Sequence, residues 1–539
     1  MSENNFLNKE IHYKMKKHNE PNSYSQMYKI SIVGIISLIF IYAVTILSKP
    51  LITPEIGLYF NITDGAQNIS QALHKFVEFH ETWYRPLSLY LTSFLIFQWI
   101  DIHNIALIKL VAFSVILFNG FIATELAKKI FNSSPVERII IFALLVTHPV
   151  YYNIALEGSG FSDSIFTIFL NLFLICFLIL LENISNKTDF TSPNLNGKNK
   201  VFLTSLCCLF ILCTITAHER GLIIFPMIGT LYLFYYWRQI VNRKILFEKS
   251  TILLLIFTFL AFTTYMFFVY GSKSHEWTGE HYRTGIEWEY IIPNSLKAFE
   301  LPVRMMFYKM NRSYDSHYEF LFNLFAIPFL ISLTSFFVNI FRSNDLKEKN
   351  GLIIIIILFF CSLPIAVLFG GSAWHFYTAS IYLSIATGRS IFYWLKTLDQ
   401  NKYLQYFILT IFFILLSIST VRGVQQELPE NSNFTKFMLL TNSALNDKTI
   451  NDIEFIPEVV FYDTGDWKDN TWPFGGQGKL FRYIYKDSKI IEIALVDGKV
   501  LDSDKHLCQN IINKKTLYLG FNANDLSWHN IAKKNYCGL

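Results

Sequence analysis

The side chains able to do chemistry occur in a few short polar strings set between long apolar blocks. The first string carries Asn61-Ile-Thr-Asp64-Gly65 and, further on, His80-Glu-Thr-Trp-Tyr-Arg85-Pro86. The second runs from His148-Pro through Glu157-Gly-Ser-Gly to Asp163. The third, Ala217-His218-Glu219-Arg220-Gly221, is so short that its ionisable groups must sit at or just inside a membrane surface if the flanking blocks span. Gly370-Gly-Ser-Ala-Trp374-His375-Phe-Tyr377 adds an aromatic-flanked histidine, and Lys297, Arg304, Lys309 and Arg312 form a basic cluster. Ionisable groups in such positions are costly, which makes them functional candidates by default. Arginine offers phosphate oxygens a bidentate fork, and a protonated histidine can add charge beside it. Each group also has a plainer reading. Thr63-Asp64-Gly65 fits a helix N-cap, and Arg85 before Pro86 fits an interfacial snorkelling residue. His218 and Arg220 could be topological anchors, and His375 could belong to an aromatic belt. The basic cluster could be a headgroup-binding face.

The elements that position these strings follow from composition. Of 539 residues, 52% are hydrophobic and only 16% charged, whereas soluble domains carry about 25% charged residues. The apolar residues gather into blocks close to the roughly 20 residues that cross a hydrocarbon core. Eleven spans are predicted, near residues 30–48, 104–126, 138–152, 164–182, 201–217, 221–237, 250–270, 319–341, 352–370, 376–394 and 403–420. The first block is an uncleaved anchor, because it is too long for a signal-peptide core and no small-residue cleavage site follows. The run 87–100 is short and reads as a helix lying in the interface. The basic segments (residues 1–29 and the loops 128–138, 183–200, 238–249, 342–349 and 396–402) then share one side, which their Lys/Arg content makes cytoplasmic. The outer face receives the first loop 49–103, the turns near 151–163, 218–220 and 371–375, the long loop 271–318, and residues 421–539. The net charge of +5 is a topology signal and not a nucleic-acid footprint.

From residue 421 the composition changes to that of a water-exposed domain. Strand-like runs at 458–462 and 479–485, with turn pairs Gly475-Gly476 and Asp497-Gly498, predict a small extracytoplasmic α/β or β-rich domain. Cys508 and Cys537 could pair there or remain free thiols. The other five cysteines are scattered within apolar blocks, and no His/Cys cluster indicates a structural metal.

The string from His148-Pro to Ser159-Gly-x-x-Asp163 resembles the GT-C-fold membrane glycosyltransferases, in particular their O-mannosyltransferase-like branch. So do Tyr84-Arg85-Pro-Leu87 after an aspartate-bearing first loop, Glu219-x-Gly221 opening an apolar run with Pro226, and His375-Phe-Tyr377 with Ser380. The resemblance covers roughly residues 60–385. It implies a polyprenyl-phosphate-linked sugar donor, Asp64 as general base for an acceptor hydroxyl, and inversion at the sugar carbon. In that scheme Arg85, His218, Arg220 and Arg304 hold the lipid phosphate at headgroup level, while Glu157, Asp163, His375 and Tyr377 position sugar or acceptor.

The acceptor would be a glycan or protein hydroxyl outside a bacterial inner membrane, as in cell-surface glycan or O-antigen modification. No cofactor is required. Some relatives use a divalent metal and others do not, and the absence of a second acid beside Asp64, where Thr63 and Gly65 stand, argues against one here. Two other classes compete. A surface-polysaccharide polymerase or ligase should lean on loop arginines, and a lipid-linked-sugar flippase or transporter should show mid-span charges and paired broken helices.

Overall fold

The computed structural model describes residues 21–47, 87–88, 91, 105–148, 161–185, 197–241, 249–271, 338, 345–368, 377–398, 400–427, 458–463, 489–496, 499–500, 502–511, 513–522, 527–530 and 536–537. Among the described residues, ten α-helices lie over the apolar blocks: α1 Pro21–Leu47, α2 Ile105–Phe131, α3 Pro135–Val146, α4 Phe161–Ser185, α5 Gly197–Ala217, α6 Ile224–Val241, α7 Lys249–Gly271, α8 Leu346–Leu368, α9 Tyr377–Thr397 and α10 Lys402–Glu427. Apart from Val338, the expected span 319–341 lies outside the described residues. Among the described residues, five helical segments are long and apolar enough to cross a membrane: Tyr24–Leu47, Lys109–Phe131, Asp163–Glu182, Gly197–Ala217 and Lys402–Val421. The chain is an integral membrane protein of the α-helical polytopic class.

Burial ranks the helices. Asp163–Glu182 in α4 is 78% buried within the bundle, against 22% for Lys402–Val421 in α10. Polar groups on α4 must therefore find partners inside the protein. Between lipid-bathed helices, association rests on close packing and interhelical hydrogen bonds, not on expulsion of water. Gly388 of α9 illustrates this, because a Cβ there would stand 2.5 Å from the Ile141 side chain of α3.

One end of the bundle is closed by ion pairs. Helix α2 stops at Asn132, whose φ of 56° is the left-handed geometry that Asn tolerates at a helix end. Helix α3 then starts with a capping box, in which Ser134 Oγ accepts from the Glu137 amide and Glu137 accepts from the Ser134 amide, with Pro135 in the first turn. Glu137 is fully buried. Its Oε2 meets Arg389 Nη1 of α9 at 2.7 Å, and Arg389 Nη2 meets Glu348 Oε2 of α8 at 2.5 Å. Nearby, Arg138 pairs with Glu125 at 2.7 Å and Lys129 with Glu182, near the end of α4, at 2.6 Å. Residues of two of the basic segments expected to share one side, 128–138 and 342–349, thus meet through Arg389 at one end.

The C-terminal residues form a separate five-stranded sheet of order β3-β2-β1-β4-β5. The central strand β1 (Val459–Asp463) runs parallel to β2 (Ile491–Val496) and β4 (Thr516–Asn522), while β3 (Lys499–Val500) and β5 (Ser527–Asn530) add antiparallel edges. The apolar run Val459-Val-Phe-Tyr462 is buried along its length, as a central parallel strand requires. The second strand-like run, 479–485, lies outside the described residues. Cys508 and Cys537 form a disulfide across 29 residues of sequence, which settles the alternative that the sequence left open.

Replacing Arg389 by Met should leave Glu137 buried without its cation. Breaking such a pair costs about 3–5 kcal/mol, so thermal denaturation of the detergent-solubilised R389M variant should show a clear fall in melting temperature.

Candidate active site

At the opposite end of the bundle the polar side chains form a different cluster. Asp163 sits in the first turn of α4, where a carboxylate is favoured by the helix dipole. Its Oδ1 meets Arg220 Nη1 at 2.5 Å and faces His218 Nε2 at 3.5 Å. All three side chains are largely withdrawn from solvent: His218 completely, Arg220 to 9% exposure and Asp163 to 13%.

Local chain geometry explains how His218 and Arg220 reach Asp163. Helix α5 ends at Ala217, and a 3-10 turn, Glu219–Ile223, leads directly into α6. His218 caps this turn by accepting the Arg220 backbone N–H on Nδ1 at 3.1 Å. A ring nitrogen that accepts carries no proton, so the ring proton sits on Nε2, 3.5 Å from Asp163 Oδ1. The turn also requires glycine at 221, because a Cβ there would lie 2.3 Å from the Thr214 carbonyl oxygen. Ser88, just after the first polar string, donates from its side chain to the Ala217 carbonyl at 2.5 Å and so stands at the same end.

A second layer lies directly beneath Asp163. Tyr377, the first residue of α9, is fully buried, and its hydroxyl lies 2.7 Å from Ser164 Oγ and accepts from Asn119 Nδ2 at 3.1 Å. Asn119 of α2 also donates to Thr167 Oγ1 at 2.9 Å, and Thr167 in turn donates to the Asp163 carbonyl at 3.0 Å. Tyr377 therefore acts here through the frame that holds Asp163.

No protein-family model matches the sequence, and no curated protein matches it. Among solved structures, the chain is similar to ArnT from Cupriavidus metallidurans in the apo state, a GT-C-fold membrane glycosyltransferase. The TM-score is 0.50 at 11% identity, covering 92% of this chain and 93% of that one. The membrane part has the GT-C fold. The same ArnT bound to undecaprenyl phosphate gives 0.49 at 10% identity, covering 93% and 96%. The Archaeoglobus fulgidus oligosaccharyltransferase tethered with an acceptor peptide gives 0.44 at 13% identity, covering 83% and 63%.

Within this GT-C bundle, four of the nine expected site residues, Asp163, His218, Arg220 and Tyr377, are described and stand at one end. Asp64, Arg85, Glu157, Arg304 and His375 lie outside the described residues. Among the described residues, no group of three His, Cys, Asp or Glu side chains could hold a metal ion. One participant had escaped notice. Asn119 gave the single signal of a carboxamide inside an apolar block. Lys109, fully buried in α2, donates from Nζ to the Ile46 carbonyl at 3.1 Å, where a cation meets the negative end of α1. The two helices that flank the first polar string are thereby tied together.

Gly221→Ala should force the Thr214 carbonyl and the turn apart. Overpacking of this kind costs about 1–3 kcal/mol, and a lowered melting temperature in detergent would register it.

Proposed function

We propose that the protein is a glycosyltransferase that moves a sugar from a polyprenyl-phosphate carrier to a hydroxyl of a glycan or protein acceptor on the extracytoplasmic face of a bacterial inner membrane. The observation that carries this reading is the buried Asp163–Arg220–His218 cluster at one end of a GT-C bundle. Buried charged groups at the end of a span mark a site where a charged ligand is handled. ArnT, which has this fold, binds undecaprenyl phosphate, and a lipid-linked donor carries its phosphate at the depth where such groups sit.

In the proposed reaction, the acceptor hydroxyl attacks the anomeric carbon of the donor sugar and gives its proton to the Asp64 carboxylate. The new bond forms between acceptor oxygen and sugar carbon, while the carbon–oxygen bond to phosphate breaks and its electron pair leaves with the phosphate. Attack opposite the leaving group inverts the sugar carbon. Negative charge grows on the phosphate, and oriented N–H donors of Arg220 and His218 stabilise it in a site largely withdrawn from water. The Asp163–Arg220 pair is neutral as a unit, so net positive charge for the phosphate falls to Arg85 and Arg304. Glu157 and His375 then bear on the sugar or acceptor. The disulfide Cys508–Cys537 supports placing the C-terminal sheet in an oxidising compartment, outside the cytoplasm.

The test is transfer from an undecaprenyl-phosphate sugar by purified variants that insert normally. Asp64→Asn should reduce kcat by at least about 10²-fold, the scale of a general base, while retaining carrier binding. Arg220→Gln should weaken binding of undecaprenyl phosphate by about tenfold or more, the effect of losing one charge-assisted contact. Full activity of D64N excludes the mechanism, and unchanged carrier affinity of R220Q excludes the phosphate site.

A further inference from the structure

We infer that Asn119 is the positioning residue of the site. Its carboxamide is the strut that fixes the first turn of α4, and with it the Asp163 carboxylate that aims Arg220. The inference rests on the proposed function only for what the site handles. The strut itself is read from hydrogen bonds.

Three helices converge on this side chain. Asn119 of α2 spends both amide hydrogens, one on Thr167 of α4 and one on Tyr377 of α9. Each recipient then holds the turn that carries Asp163. Thr167 Oγ1 lies 3.0 Å from both the Asp163 and the Ser164 carbonyls, and the Tyr377 hydroxyl meets Ser164 Oγ at 2.7 Å. The side chains of Asn119, Thr167, Ser164 and Tyr377 are all buried. In such surroundings a severed hydrogen bond is not replaced by water, so its loss is felt in full. Leu, close to Asn in size and shape but without donors, would leave the Thr167 and Tyr377 hydroxyls short of a partner at once.

The molecule supplies its own control. Asn171 lies one turn further along the same face of α4 as Thr167, about 12 Å from Asp163 along the helix axis, and is equally buried. Among the described residues, neither its Nδ2 nor its Oδ1 has a hydrogen-bond partner. Replacing such a group with an apolar one of the same shape is neutral or stabilising. Asn119→Leu and Asn171→Leu are thus the same substitution in the same kind of burial, differing in whether bonds are lost.

The experiment uses full-length protein in detergent. Melting temperatures of the parent, D163N, R220Q and D163N/R220Q give the coupling between Asp163 and Arg220, and the cycle is repeated in the N119L and N171L backgrounds. The coupling should fall by half or more with N119L and persist with N171L. A coupling untouched by N119L overturns the inference. These measurements need no substrate. A parent protein without affinity for undecaprenyl phosphate would therefore defeat the transferase reading and leave the strut to be judged on coupling alone. Where the carrier does bind, N119L should bind it about tenfold more weakly and N171L as the parent does. Equal binding by both overturns the positioning role. If N119L does not fold, Tyr377→Phe, which removes only a hydroxyl from the same chain of bonds, replaces it under the same criteria.

Discussion

A charge held out of water at the end of a membrane helix must be matched by an opposite charge or by hydrogen bonds, and the organisation of this bundle follows from that requirement. Asp163 and Arg220 meet it at one end, and Glu137, Arg389 and Glu348 at the other. Between the two lies the apolar length that crosses the bilayer. Because α4 is the most enclosed of the five spanning segments, carrying Asp163 at one end and Glu182 near the other, it fixes the relative depth of both clusters.

The two ends solve the same electrostatic problem differently. At the Glu137 end, one arginine is shared by two carboxylates and lies 5.2 Å from the Phe131 ring centroid. That arrangement locks three helices and a capped turn. At the Asp163 end, an arginine meets a carboxylate with a histidine beside it, in a turn with no room for a side chain at 221. A neutral pair with aimed N–H donors suits a ligand whose negative charge grows during reaction, since the donors are already oriented when the charge appears. The buried layer of Asn119, Thr167, Ser164 and Tyr377 supplies the rigidity this needs.

Much of this was legible in the sequence, for physical reasons. Apolar blocks of near-spanning length announced the helices, and the shortness of the Ala217–Gly221 turn forced His218 and Arg220 to the membrane surface. The spacing from His148 to Asp163 put a carboxylate at the start of α4. The Ser134-Pro-x-Glu137 pattern marks the start of α3, but its pairing with Arg389 spans 252 residues of sequence and could not be read locally. Asn119 was missed because one carboxamide in an apolar run has no periodic signature, and its meaning depends on helices 48 and 258 residues away. The sheet's parallel pairing was also hidden, since β1 finds its neighbours only after long crossovers.

Arg220 and His218 are proposed to receive a lipid phosphate. An experimental structure of the protein in a lipid nanodisc with undecaprenyl phosphate tests it most directly. The phosphate should lie within about 3.5 Å, the outer reach of a hydrogen bond, of Arg220 guanidinium nitrogens or of His218 Nε2, with Asp163 still paired to Arg220. A phosphate seated at the Glu137–Arg389 end, or one bound at the Asp163 end without touching Arg220 or His218, would contradict it.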